Sequence, residues 1–430
     1  MKDTAISSVV GRRVWDSRGR PTVEAEVHLA GGAVGRGIAP AGASTGSGEA
    51  LDRRDGGAAF GGYDVTDAVA AINGEIAARL IGMDAGDQAA IDAALVELDG
   101  TDSKSRLGAN ATVAVSMANA HSAAAANHIP LWNYLLVDQK PGLPIPEVQI
   151  LGGGAHAGRR VDIQDFMVVA VGAADYIQAL DWTAEVYRAA GTIMAERGGL
   201  QGVADEGGYW PAFESNETGL EILVRAIEKA GLRPGEDMAI SLDIAASEFG
   251  QNGRYRLGLE GRELDSDGLV EMLLGWVNRY PIVAVEDPVA EDDVEGFRRF
   301  TQAVGERVLV IGDDLLVTNA ERVRRMAEAR ACNGLLVKPN QAGTLTEAKA
   351  ALDAAGEAGW TNIVSARSGE TEDVTIVHLA VGWGAPVLKV GSFARSERMA
   401  KWNEGIRVAE ALGGRGGLPP RNSFPWGRGG

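Results

Sequence analysis

Six short apolar runs in the second half of the chain each close on a polar residue, and this repeat limits the possible folds more than any other feature. MAISLD ends on Asp243, PIVAVE on Glu286, VLVIGD on Asp313, GLLVK on Lys338, TNIVS on Ser365 and PVLK on Lys389. After a first gap of 43 residues the separations are 24 to 27, the length of one strand, one helix and their loops. Amphipathic stretches such as NETGLEILVRAIEKAG, NAERVRRMAEARA and TLTEAKAALDAAGEAG lie between or just before the runs. The alternation predicts βα units on a parallel sheet. Polar residues at the C-terminal ends of successive strands are how a (β/α) barrel builds a site. One such residue is more often a solvated loop residue, but six in phase are not.

The first 135 or so residues read differently. TVEAEVHLA (22–30) alternates as a half-buried strand of an antiparallel sheet, and Ala- and Leu-rich helical stretches follow from about 66. The expected organisation is therefore an α+β capping domain over 1–137 and a (β/α)8 barrel over 138–414, with DQKPGLPIPE near the boundary. The Gly/Pro/Arg-rich tail, 415–430, is expected to stand apart from the core.

Composition narrows the partners. With 41 Lys and Arg against 59 Asp and Glu, the net charge of −18 disfavours nucleic acid and acidic membranes. A lone cysteine, Cys332, excludes an intramolecular disulfide and a cysteine-based zinc cluster. The N-terminus lacks the apolar core of a signal peptide and no run of 18 apolar residues occurs, so the expectation is a cytoplasmic protein.

Asp243, Glu286 and Asp313, brought to one mouth, repel one another unless a cation joins them. All-oxygen ligation with no strand-end His or Cys suits Mg²⁺. Lys338, facing such a cation and Lys389, is expected to lose proton affinity and act as a base. Base plus metal is what abstraction of a proton α to a carboxylate requires. Glu206, in ADEGGYW, is positioned to serve as general acid, and Asp165, in IQDFMV, follows a probable strand by this reading. APAGASTGSGE (39–49) and GGGAHAG (152–158), with His156, read as mobile lids. The latter is too weak a glycine pattern to imply a nucleotide cofactor.

Ten motifs in order resemble one family: DSRGRPTVE (16–24), GASTG (42–46), HAG (156–158), DEGG (205–208), DIAASEF (243–249), VEDP (285–288), GDDLLVTN (312–319), LLVKPNQAGT (335–344), RSGETED (367–373) and RSERMAKWNE (395–404). From about residue 6 to 412 the chain is similar to enolase, whose superfamily has the base and Mg²⁺ pairing as its documented arrangement. The resemblance implies Asp243, Glu286 and Asp313 as ligands of a first Mg²⁺ and Ser44 as a contributor to a second. It implies Lys338 as the base, Glu206 as the acid with Asp165 assisting, and Asp314 supporting the metal ligands. Lys389 would hold the substrate carboxylate, and Arg367 and Ser368 its phosphate, with His156 closing over it and Gln164 alongside. Homodimers or larger homo-oligomers are the family's habit.

The departures cluster on one side. Where the enolase motif has a histidine between Ser365 and Arg367, this chain has Ala366, and Asp165 is one methylene shorter than the family's glutamate. Ala41, Ala342 and Gly391-Ser392-Phe393 also depart. The resemblance therefore implies either a lyase acting on 2-phosphoglycerate or a close analogue, or a paralogue like the carboxyphosphonoenolpyruvate synthase of phosphinothricin-type antibiotic pathways. The substrate would be a small phosphorylated or phosphonylated carboxylate. A non-catalytic binding protein is the least favoured alternative, because a scaffold has no need of clustered like charges.

Overall fold

A computed structural model describes residues 3–137, 140–200, 202–413 and 416–428. The expected domain boundaries at 137/138 and 414/415 therefore abut residues outside the described set. The N-terminal part is an antiparallel meander of β1 (Ile6–Trp15), β2 (Pro21–Leu29) and β3 (Val34–Ile38). The helix Ala109–Ala126 packs across β2 and β3. Its small side chains let it come so close to β3 that a Cβ at Gly35 would run into the Ala118 carbonyl and the Ser122 amide. This covering also corrects the half-buried reading of TVEAEVHLA, because Thr22 and Glu24 are buried along with Val23, Ala25 and Val27.

The rest of the chain is a closed eight-stranded barrel. In order around the axis its strands are β4 (Ile145–Gly152), β5 (Asp165–Val169), β6 (Ala239–Asp243), β10 (Ile282–Glu286), β11 (Leu309–Gly312), β12 (Gly334–Val337), β13 (Thr361–Ser365) and β14 (Val387–Ser392). A separate small sheet, β7 (Gly250–Gln251), β8 (Arg254–Leu257) and β9 (Arg262–Asp265), is inserted after β6 and accounts for the long first interval. The amphipathic stretches form helices at Glu217–Lys229, Ala320–Glu328 and Leu345–Glu357. Asn319 and Thr344 cap the last two, each side chain accepting from a backbone N–H in the first turn.

Four expectations are corrected here. The barrel is not wholly parallel, because β5 runs antiparallel to both β4 and β6. Asp165 consequently opens β5 instead of following a strand, and the reversal puts it opposite Asp243 at the mouth. Lys389 lies inside β14, three residues before its end. The tail does join the core: Phe424 is buried among Ile145, Val169, Ala239, Leu309 and Val387 at the pole away from the mouth, stacked on Trp426 at 4.3 Å. The Gly- and Pro-rich composition of 415–430 hid two aromatic side chains that close the barrel floor.

Candidate active site

Every barrel residue singled out from sequence is buried at the mouth, and most of them touch. Lys389 Nζ spans the barrel, 2.7 Å from Glu286 Oε2, 3.0 Å from Asp243 Oδ2 and 3.5 Å from Asp165 Oδ2. Lys338 Nζ donates to Asp313 Oδ2, and Gln164 Nε2 to Asp243 Oδ2 at 3.0 Å. Ser365, Ala366, Glu206 and Ser44 line one central cavity of about 20 Å³ with Asp165, Gln164, Asp243, Lys338 and Lys389, room for roughly one water.

The carboxylates divide by their surroundings. Burial and then Asp243 push Glu286 well above the usual range. Burial also opposes ionisation of Asp313, but Lys338 and Arg367 overcome it and hold that group low. Asp314, whose backbone N–H donates to Asp287, is pushed up to about 8 by burial and by Asp313. Lys338 behaves contrary to expectation: burial lowers its proton affinity, but Asp313 outweighs burial and raises it. The direct ion pair with Asp313 outweighs the repulsion from Lys389 on which the expectation rested.

The other half of the site is built around His156. Burial resists its protonation, but Glu206 at 3.9 Å and Asp165 at 3.2 Å carry it up to about 9. Its second nitrogen, Nε2, lies 3.1 Å from Ser368 Oγ. His156 and Lys389 in turn hold Asp165 below the ordinary carboxylate range, against desolvation. GGGAHAG is accordingly no open flap: His156 is only 6% exposed, on a one-turn helix, Gly154–Ala157. Segment 39–49 is docked on the barrel, with Ala41 and Gly369 exchanging backbone hydrogen bonds and Ala43 N donating to Ser368 Oγ. Ser44 contributes its carbonyl, which accepts from Arg367 Nη2 at 2.9 Å.

Sequence reasoning missed several participants. Gln149 is buried and bridges two of the expected residues' neighbourhoods: its Nε2 donates to Asp165 Oδ1, and its Oε1 accepts from Gly208 N, two residues beyond Glu206. Glu147 receives the Ser241 hydroxyl hydrogen bond inside the barrel. Both were readable as polar residues two apart in the apolar run IPEVQIL, which turns them to one face of a strand. Asp287 accepts from both Asp313 N and Asp314 N, and Glu49 pairs with Arg367.

The donor set at Asp243, Glu286 and Asp313 is all oxygen and buried, burial and the Asp243 charge raise Glu286 well above the usual carboxylate range, and Glu286 Oε1 has no hydrogen-bond partner among the described residues. These residues fit a hard divalent cation such as Mg²⁺. Two acidic groups have ligand atoms within 4.8 Å of one another, His156-Asp165-Glu206 and Asp287-Asp313-Asp314. The expected ligand trio is not among these; Lys389 lies on Asp243 and Glu286, and Lys338 on Asp313.

The fold and this mouth define an α/β-barrel protein with a buried acid-and-lysine centre beneath an N-terminal cap. Residues 6–135 match the family model "Enolase, N-terminal domain", and residues 140–423 match "Enolase, C-terminal TIM barrel domain". The chain is 48% identical over 427 residues to Enolase 1 of Desulfitobacterium hafniense (strain Y51), spanning 99% of this chain and 98% of that protein. It belongs to the enolase family.

Proposed function

We propose that this enzyme is a Mg²⁺-dependent carbon–oxygen lyase that takes the proton α to the carboxylate of 2-phosphoglycerate, or a close analogue, and forms a phosphoenolpyruvate-type product. The observation that carries this reading is that Lys338 and Glu206 line the same enclosed cavity between Lys389 and Arg367. In this reading Lys338 Nζ takes the α-proton in its neutral form, so its contact with Asp313 is given up before it acts. Glu206 gives a proton to the departing hydroxyl, which leaves as water, and Asp165 keeps His156 charged beside it. Lys389 binds the carboxylate, Arg367 and Ser368 the phosphate, and Gln164 steadies Asp243. Asp243, Glu286 and Asp313, supported by Asp314, would hold one Mg²⁺ and Ser44 would contribute to a second. When bound, the metal supplies the positive charge against which the second charge of the ene-diolate develops.

The assembly in this reading is a homodimer or larger, the location is cytoplasmic, and the domains are 1–137 and 138–414. Among the described residues no helix is long and apolar enough to cross a membrane.

The test is formation of phosphoenolpyruvate from 2-phosphoglycerate with Mg²⁺, for wild type and Lys338→Ala. Wild type is expected to turn over and to stop on chelation, while the variant loses about 10²–10⁴-fold or more. A variant retaining wild-type turnover removes Lys338 as the base. A second reading, a synthase handling a phosphonoformyl-bearing skeleton, is favoured by Ala366 alone, which puts no hydrogen-bonding side chain at its point of the cavity wall. Negligible wild-type turnover that Ala366→His restores would support it.

A further inference from the structure

The Arg367 guanidinium has little left to offer a ligand in this structure. Its Nη1 donates to Glu49 Oε2 at 3.0 Å and to Asn340 Oδ1 at 3.2 Å. Its Nη2 donates to the Ser44 carbonyl at 2.9 Å and to Glu49 Oε1 at 3.3 Å. A guanidinium has five N–H donors in a fixed fork, four of them on the terminal nitrogens. Those four are all engaged, two of them by the bidentate carboxylate of Glu49, and the pair is almost wholly buried. A carboxylate in that grip has the geometry by which arginine takes a phosphate.

Glu49 ends the docked segment 39–49. Gly46 N donates to its Oε1 at 3.0 Å, and Gln341 Nε2 donates to the same oxygen at 3.2 Å. The Gln341 amide also donates to Asp313 Oδ1 at 2.8 Å, so the acid on the cap is tied through one side chain to the acid that grips Lys338. Gly42 is needed for this docking, since a Cβ there would collide with Arg367 Nη2. A 380 Å³ pocket lined in part by Thr45, Glu49, Asp52, Asn340 and Arg367 flanks the pair, and it gives a released Glu49 side chain somewhere to turn.

We infer that Glu49 is an internal competitor for the anion site of Arg367, so that a substrate phosphate binds by displacing this carboxylate and breaks its contacts with Gly46 and Gln341. The inference rests on the reading of Arg367 as the phosphate holder. Its consequence is a charge threshold: a dianionic phosphate replaces Glu49 at no loss of charge, whereas a neutral or weakly charged group cannot.

The experiment measures dissociation constants for 2-phosphoglycerate and for inorganic phosphate by calorimetry on the full-length protein with Mg²⁺, alongside KM, for wild type, Glu49→Gln, Glu49→Asp and Arg367→Gln. Removing a competitor raises the fraction of binding-competent sites, so both constants and KM are expected to fall several-fold in Glu49→Gln. Glu49→Asp, too short to keep both contacts, is expected to shift the same way and serves if Glu49→Gln does not fold. Unchanged or weaker binding in the folded Glu49 variants overturns the inference and makes Glu49 a prop for Arg367. Arg367→Gln separates the two levels. If it leaves phosphate binding intact, the phosphate assignment itself fails; if it abolishes binding while the Glu49 variants do not tighten, only the role of Glu49 fails.

Discussion

His156 shows how one residue can report the electrostatics of the whole site. Its ordinary value near 6.5 rises to about 9 in the folded protein. The folded state therefore binds the proton more tightly than the unfolded one. The stability this contributes is fully present below about pH 6.5 and is lost as pH rises through about 9. His156→Gln is expected to flatten the stability profile between those limits, as denaturant titrations at stepped pH would measure; an unchanged slope would mean that Glu206 and Asp165 do not charge the ring. Ala366 raises the complementary question, because it removes a hydrogen-bonding group where His156, Glu206 and Ser368 converge. If the chain is an ordinary hydratase, His156 is the remaining cation beside Glu206, and His156→Gln should also cut kcat by about 10²-fold or more. Assays of kcat and KM for that variant decide the point.

Among the elements, the floor of the barrel is held by the last described residues. Phe424, 1% exposed among the strand starts, is expected to cost about 3–5 kcal/mol on Phe424→Ala, read as a lower denaturation midpoint with catalytic constants little changed. A variant within a few tenths of a kcal/mol of wild type would return the tail to the status its composition suggested. Six barrel strands were legible because each is a short apolar run ended by a polar residue. The direction of β5 was not, since DFMVV is buried on both faces and reads the same either way along the chain. The site followed suit: strand-end groups such as Asp243 and Glu286 were visible by position. Glu49 was not identified, because its partner Arg367 lies far away in sequence, whereas Gln149 was signalled only by its alternation with Glu147 in an apolar run. Lys338 was found but its ion pair with Asp313 was not, since side-chain pairing across neighbouring strands depends on barrel register.

Across the whole molecule, cap and barrel share one apolar core running from Ile6 to Leu412. They are also stitched by polar contacts: Asp92 Oδ2 accepts from Thr346 N and Oγ1, and the Thr112 hydroxyl donates to the Gly343 carbonyl. Asp92→Ala is expected to lower stability by about 1–3 kcal/mol while unfolding stays a single transition. Two resolved transitions in calorimetry would show that the parts melt independently. The barrel itself closes through β14 against β4, and Phe424 then seals it from below. A nascent chain leaving the ribosome from its N-terminus can finish the cap meander early. The two seams that complete the catalytic half, however, wait for β14 and Phe424, which are made after every other barrel strand. Until β14 has been made, a stalled chain would present seven unsealed barrel strands to the chaperones.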